Sequence, residues 1–362
     1  MNVDSEIKTL KKVMLHRPGK ELGVLNTNNM EEYLFDELPD LAVAQKEHDE
    51  FAKILKNEGV EVVYLVDMMA EIIKDNKVKE EFLKQFLLEA NCHKEETYDY
   101  FLSIENPKDF VIETMAGIDN EIMAMPNLYF TRDSFTIIGN TIALYNMHTN
   151  VRRREVIYGE YLNKYHNDFK LNNSYSRNAK YEIEGGDVLV IGKDTIIVGV
   201  SERTSFDAAK LLAQNLFEKT NIKNVITVEI PSRRACMHLD TVLTQINENQ
   251  FVIYDEFYDL LKIHIINRSE IIETQDKLKE VLAKLLNNSN INFVFVHGKT
   301  EQWNDACNTL CIAPNKFVVY DINNTTNNKY IENGSTIYKL SSKELLKGRG
   351  GPHCMSMPLI RE

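Results

Sequence analysis

Short β-branched and aromatic runs, paired around a turn, recur along the chain. "DSFTIIGNTIALYNM" from Asp133 reads as a strand, a Gly139-Asn140 turn and a second strand. "DVLVIGKDTIIVGVS" from Asp187 repeats the pattern with a turn at Gly192-Lys193-Asp194. "DTVLTQINENQFVIYD" from Asp240 turns at Asn247–Asn249, and "NTLCIAPNKFVVYD" from Asn308 turns at Ala313–Asn315. Apolar runs broken by Gly, Asn or Pro are hairpin signals.

Between hairpins the period changes from two to that of a helix. "SFDAAKLLAQNLFEKT" (205–220), with Ser205 as N-cap, predicts a helix, and "VITVEI" (225–230) predicts the strand after it. "TQDKLKEVLAKLL" (274–286) and "NFVFVHG" (292–298) repeat that order after the third hairpin. Near the start, "KKVMLHRPG", "AVAQKEHDEFAKILKNEG" and "VEVVYLV" supply a strand, a helix ending at Gly59 and a strand. Their missing strand is expected from the C-terminal "CMSMPL". The pattern predicts an α/β fold of about five ββαβ units around a shared centre, one completed by both ends of the chain. Residues 67–118 carry helical periodicity and few turn signals, and read as a small helical insertion in a single domain spanning 1–362.

Composition narrows the class. Of the 362 residues, 43% are hydrophobic and 27% charged, as in an ordinary globular protein. A net charge of −12 with no basic tract argues against nucleic-acid or anionic-membrane partners. No apolar run approaches the roughly 20 residues that span a bilayer. The first residues lack the apolar core of a secretory signal, and five scattered cysteines are not a disulfide framework. A cytoplasmic location with reduced thiols is the expectation.

Polar residues stand at the mouths of the hairpins: Asp133 in "NLYFTRD", Glu184 and Asp187 in "EGGD", His238 and Asp240 in "MHLD". Each alone reads equally as a turn former or cap. Together, on units sharing a centre, they converge with Cys354 of "GRGGPHCMSMPLIRE". Facing carboxylates repel unless a cation lies between them. A guanidinium is a planar, permanent cation whose N–H forks match carboxylates, so Asp133 and Asp240 could grip one from two sides. A thiolate is a nucleophile for its carbon. His238 could protonate the departing nitrogen and then activate water, with Glu184 orienting the imidazole.

"PNLYFTRD", "IEGGD", "SERT", "MHLDT" and "KGRGGPHCMSMP", in this order, resemble the arginine deiminase family of the guanidino-modifying superfamily. "KKVMLHRPGKEL" and "LFDELPDLAVAQKEHDEFAKILKNEGVEVVYL" extend the resemblance over nearly the whole chain. It implies a pseudo-fivefold α/β propeller with Cys354 as nucleophile, His238 as acid/base, Glu184 supporting it, and Asp133 and Asp240 on the guanidinium. It further implies that Asn127 and Phe130 line the site and that Arg152, Arg203 and Arg349 hold the α-carboxylate of L-arginine. Arg349, on a glycine loop five residues before Cys354, is placed to close like a lid. The implied reaction is hydrolysis of L-arginine to L-citrulline and ammonia through a cysteine amidino-thioether, with no metal or organic cofactor.

Related outcomes stay open. An amidinotransferase or a dihydrolase would use the same gripping residues, and a non-catalytic arginine-binding relative would not need the nucleophile. Residues 67–118 are shorter than the family's corresponding stretch, which bears on whether the chain forms a homo-oligomer. "GRGGP" lacks the Lys-Ser/Thr of a phosphate loop. Cys307 and Cys311 fit alternation in a strand better than half a metal site. Cys236 is expected on a strand, and Trp303, Met355 and Met357 in the core. His16, His48 and His353 are expected to be structural, His353 because a neighbour in extended chain points away from Cys354.

Overall fold

The computed structural model describes residues 1–362 as a mixed α/β fold with five separate sheets. Four of the expected units are complete. The hairpins Phe135–Ile138/Thr141–Leu144, Val188–Gly192/Thr195–Val200, Leu243–Asn247/Gln250–Tyr254 and Leu310–Ala313/Lys316–Tyr320 are antiparallel. Each second strand is joined, through a helix, to a parallel third strand: Asn172–Tyr175, Asn224–Glu229, Asn292–Val296 and Thr336–Leu340.

The fifth unit is assembled from both ends of the chain. Leu10–Leu15 pairs parallel with Glu61–Tyr64 and antiparallel with Met357–Arg361. The helix Leu41–Asn57 connects the first two of these, capped by the Asp40 carboxylate on Val43 N–H. It ends at Glu58, and Gly59 follows at φ +79°, a left-handed conformation suited to glycine. Ser205 caps Phe206–Lys219 through Ala208 N–H, as its sequence predicts.

Three differences from the sequence pattern stand out. The apolar run after Glu61 leaves the sheet at Tyr64, because Leu65 already begins a helix. Lys262–Ile266 and Ile271–Thr274 form an extra hairpin that lies between the third unit's strands in sequence but joins the second unit's sheet at Asn224–Glu229. Weak local patterning hid the strands Asn172–Tyr175 and Thr336–Leu340. Both are partly exposed; Asn172–Tyr175 reads as polar, and Thr336–Leu340 is a short run with Lys339 among its apolar residues.

Residues 65–116 form four helices, Leu65–Ile73, Asn76–Glu89, Glu95–Ser103 and Pro107–Ala116. Their aromatic face docks on the first hairpin unit: Phe82 lies 5.6 Å from Tyr158 and 5.1 Å from Tyr161, ring centre to ring centre. No helix is long and apolar enough to cross a membrane.

One buried side chain ties the N-terminal unit to the segment carrying the nucleophile. Glu47, on the helix Leu41–Asn57, accepts from Ser341 Oγ and from the backbone N–H groups of Lys343, Glu344 and Leu345, all at 2.8–2.9 Å. Those N–H groups open the turn Leu345–Gly348, and an unpaired buried donor costs about 1–3 kcal/mol. Glu47→Ala should therefore lower unfolding free energy by at least about 2 kcal/mol in a urea titration, with Glu47→Gln losing less. An unchanged midpoint would show the segment held by other means.

Candidate active site

Each unit holds a polar residue in the turn that feeds its innermost strand. Asp133 precedes the strand starting at Phe135, Asp187 ends a short helix before Val188, and Asp240 sits in Leu239–Thr241 before Leu243. Asn308 precedes Leu310, and Cys354 precedes Met357. Topological equivalence brings them together. Asn127, Phe130, Asp133, Arg152, Arg203, His238, Arg349 and Cys354 line one cavity of about 20 Å³. Glu184 and Asp240 stand directly behind it, on His238 and Cys354. All ten residues expected from the sequence thus fall in a single cluster.

That volume holds about one water, so an amino acid enters only when the walls part. Leu34, Arg234, Met237 and Gly348 complete those walls, and Arg234 joins two of the segments through Asp36 and the Leu34 carbonyl. Close packing explains the glycines here. A Cβ on Gly186 would sit 2.7 Å from the His238 ring, and one on Gly350 would sit 2.4 Å from Phe130.

The electrostatics are organised in pairs. His238 Nε2 is 2.7 Å from Glu184 Oε2, and its Nδ1 is 3.7 Å from Asp133 Oδ1. Burial would push the imidazole down, but Asp133, the Glu184 hydrogen bond and Asp187 outweigh it and hold the pKa up at about 9. Burial acts against Glu184's charge too, yet Arg203 at 3.3 Å and His238 keep its carboxyl well below the usual range. Asp187, fully buried, accepts from Leu239 N–H and Ser201 Oγ, fixing the turn that carries His238 and Asp240.

Cys354 Sγ lies 3.3 Å from Asp240 Oδ2. Burial, then Asp240 and Asp133, push its thiol well above the ordinary value. Asp240 is itself held below its usual range: burial opposes its charge, but the bond from His353 Nδ1 at 2.8 Å, the charges of His353 and His238 and the Cys354 contact together outweigh it. Asp133 Oδ2 accepts from Arg152 at 2.7 Å, while Arg152 also grips Glu155 and the Asn127 carbonyl. The remaining oxygens, Asp133 Oδ1 and Asp240 Oδ1, are buried without a hydrogen-bond partner. Two buried, unpartnered carboxylate oxygens beside a thiol are a receptor for a cationic N–H donor.

Several side chains differ from their sequence reading. Trp303 is not core: it is 42% exposed, and the Arg349 guanidinium lies over its ring 3.4 Å from the centre while donating to its carbonyl. An indole face attracts a cation, which the sequence pattern could not reveal. Cys236 lies in the short turn helix Arg234–Cys236, not in a strand. His353 does not point away from the site, because residues 352–355 form a turn instead of extended chain; its ring bridges Asp240 and Glu6. Asn308 was passed over as a site residue, although it opens the fourth hairpin as Asp133, Asp187 and Asp240 open the others. Met355 and Met357 are fully buried.

This fold is the one seen in guanidino-group enzymes of known structure. The DDAH of Pseudomonas aeruginosa superposes with a TM-score of 0.60 at 14% identity, over 97% of this chain and all of that one. The N-terminal domain of ArgZ, a cyanobacterial arginine dihydrolase, gives 0.61 at 13% identity over 97% of each chain. SxtG, an amidinotransferase of Microseira wollei, gives 0.60 at 16% over 100% of this chain and 97% of the other. At these identities the likeness shows the fold alone.

The sequence decides the family. The arginine deiminase family model matches residues 31–124 and 101–361. Arginine deiminases of Treponema denticola and Streptococcus sanguinis are 42% and 40% identical, each over all of this chain and 98% of theirs. The chain belongs to the arginine deiminase family. The first alignment runs over 404 positions against 362 residues here, so that relative carries segments this chain lacks.

The His238 environment makes a signed prediction. Its folded pKa is raised above the ordinary value of about 6.5, so its contribution to stability is complete below that pH and is lost as pH climbs through about 9. Imidazole NMR should place the His238 midpoint near 9 and lower it in Glu184→Gln. A midpoint near 6.5 in the unaltered protein would remove the charged His238–Glu184 pair.

Proposed function

We propose that this protein is an arginine deiminase, hydrolysing L-arginine to L-citrulline and ammonia, with 1–362 acting as one catalytic domain bearing a helical insertion at about 67–118. The observation that carries this reading is a pair of buried carboxylate oxygens without hydrogen-bond partners, Asp133 Oδ1 and Asp240 Oδ1, on an aspartate that shares the cavity with Cys354 and on one whose other oxygen touches its Sγ. A guanidinium is the cation whose two edges answer two carboxylates at once.

In this reading the bound guanidinium supplies the positive charge that favours the Cys354 thiolate, which burial and Asp240 otherwise oppose. Sγ attacks the guanidinium carbon. Protonated His238 gives its proton to one terminal nitrogen, that C–N bond breaks, and ammonia leaves an amidino-thioether on Cys354. Neutral His238 then takes a proton from water as the water adds to the same carbon. The C–S bond breaks to return the thiolate, and the added oxygen loses its remaining proton to solvent as the ureido carbonyl of citrulline forms. Glu184 orients the imidazole through both halves.

Arg203, Arg349 and Arg152 receive the α-carboxylate, with Asn127 and Phe130 against the aliphatic part. Arg203 and Arg349 must leave Glu184 and the Trp303 carbonyl, at least in part, to do so. The place of action is the cytoplasm, where free arginine is the partner the site is built for.

Purified protein with L-arginine should give citrulline and ammonia in equal amounts, and Cys354→Ala should lose turnover by more than about 10⁴-fold. Ornithine with two ammonias would make it a dihydrolase; transfer of the amidino group to an amine would make it an amidinotransferase. Arg203→Leu and Arg349→Leu should each raise KM for arginine at least about tenfold, the scale of one charged hydrogen bond. Agmatine, which lacks the α-carboxylate, should be less affected. Equal losses on both substrates would overturn the carboxylate assignment.

A further inference from the structure

Asn308 has no role in the mechanism above, yet its Nδ2 lies 3.0 Å from Cys354 Sγ, nearer than Asp240 Oδ2 at 3.3 Å. The side chain is 1% exposed, and three of its four hydrogen bonds go to the nucleophile's loop. Oδ1 accepts from Gly351 N–H and Cys354 N–H, both at 3.1 Å. Of the two Nδ2 hydrogens, one goes to the Asp240 carbonyl at 3.1 Å and one to Sγ.

These contacts fix the amide's orientation. Turned over, Nδ2 would face two backbone donors and Oδ1 would face a carbonyl oxygen. Only the observed orientation satisfies all four groups, and it aims an N–H at sulfur.

The charge around Sγ explains what a neutral donor achieves there. The carboxylates of Asp133, Asp240 and Asp305 act against a thiolate, in a buried setting. The cations lining the same cavity are committed elsewhere: His238 to Glu184, Arg152 to Asp133 and Glu155, Arg203 to Glu184, Arg234 to Asp36, and Arg349 to the Trp303 carbonyl. A lysine or arginine in place of Asn308 would be drawn to Asp240 and fill the position a guanidinium needs. An amide N–H stabilises the sulfur's charge without neutralising the carboxylates.

We propose that Asn308 is a catalytic residue that donates Nδ2–H to the Cys354 sulfur whenever that sulfur carries charge, before attack and again on expulsion from the amidino-thioether. The proposal rests on Cys354 being the nucleophile of the deiminase reading. Its carbonyl half clamps the loop and its amino half acts on the reaction. The two halves are separable by mutation.

The experiment is a pH titration of thiolate absorbance at 240 nm without arginine, taken as the difference between each protein and its Cys354→Ala counterpart. Asn308→Leu removes donor and acceptor together. Asn308→Asp keeps the acceptor oxygen for Gly351 and Cys354, and so keeps the loop's anchor even where the leucine variant fails to fold. Both variants should move the Cys354 midpoint upward by about one pH unit or more, a tenfold loss of thiolate below the midpoint. kcat should fall at least about tenfold in both variants, with Asn308→Asp melting above Asn308→Leu because it keeps the acceptor for Gly351 and Cys354. A midpoint unmoved in Asn308→Leu overturns the assignment. So does a wild-type profile and kcat in Asn308→Asp, which would leave only the clamp. Because the absorbance is read without substrate, it is independent of whether citrulline forms, and failure of the deiminase reading is told apart by the product assay on the unaltered protein.

Discussion

Buried negative charge beside the Cys354 thiol is the constraint on which the site depends. Asp133, in the cavity wall, and Asp240, directly behind it, each bury one oxygen with no hydrogen-bond partner, and a group so placed is tolerated only where the surrounding structure compensates the charge. That compensation is visible. Arg152 holds the other oxygen of Asp133, and His353 holds the other oxygen of Asp240. Behind His353 stands Glu6, kept well below the ordinary carboxylate range because Arg132 and His353 outweigh its burial. A chain of buried polar contacts, Asp240 to His353 to Glu6, thus runs from behind the cavity into the core and back to the N-terminal segment.

The repeat makes such a network easy to assemble. A ββαβ unit places the residue before its first strand at the same end of its sheet each time. Five units meeting there deliver five polar groups without any one loop having to reach far. The price is covalent order: neighbours in the site are far apart in sequence, with Glu6 and His353 separated by 347 positions. Cooperative closure of the unit built from both ends is therefore a condition for the site to exist, since Cys354 stands just ahead of the strand Met357–Arg361 that pairs with Leu10–Leu15.

Access works against this rigidity. The cavity admits about one water, and two of its lining arginines are tied to neighbouring segments, Arg234 to Asp36 and the Leu34 carbonyl and Arg349 to Trp303. Arg349 has φ +64°, sparsely populated for a residue with a side chain, and its guanidinium rests on an exposed indole. A cation–π contact is worth about 0.5–2 kcal/mol between exposed and desolvated settings, weak enough for a carboxylate to displace. Arg349 is held by the kind of interaction a substrate can outbid.

The sequence alone determined the α/β class, the four hairpins, the unit completed by both ends, and the ten residues that gather at the cavity. The class, the hairpins and the polar residues at their mouths are written locally, since β-branched runs set strands and Gly and Asn set turns; Asn127, Phe130, Arg152, Arg203 and Arg349 were legible only through the ordered motifs that resemble the family. The tertiary structure decided what local pattern cannot encode. It turned residues 352–355 so that His353 faces Asp240, sent Lys262–Thr274 to another unit's sheet, and stood Trp303 on the surface beneath Arg349. Asn308 shows the boundary best. Its place at the head of the fourth hairpin was legible, but an asparagine there is an ordinary turn former until folding sets its amide against a sulfur 46 residues away. A side chain's chemistry is a property of the residue; what it acts on is a property of distance, and only the fold sets distances.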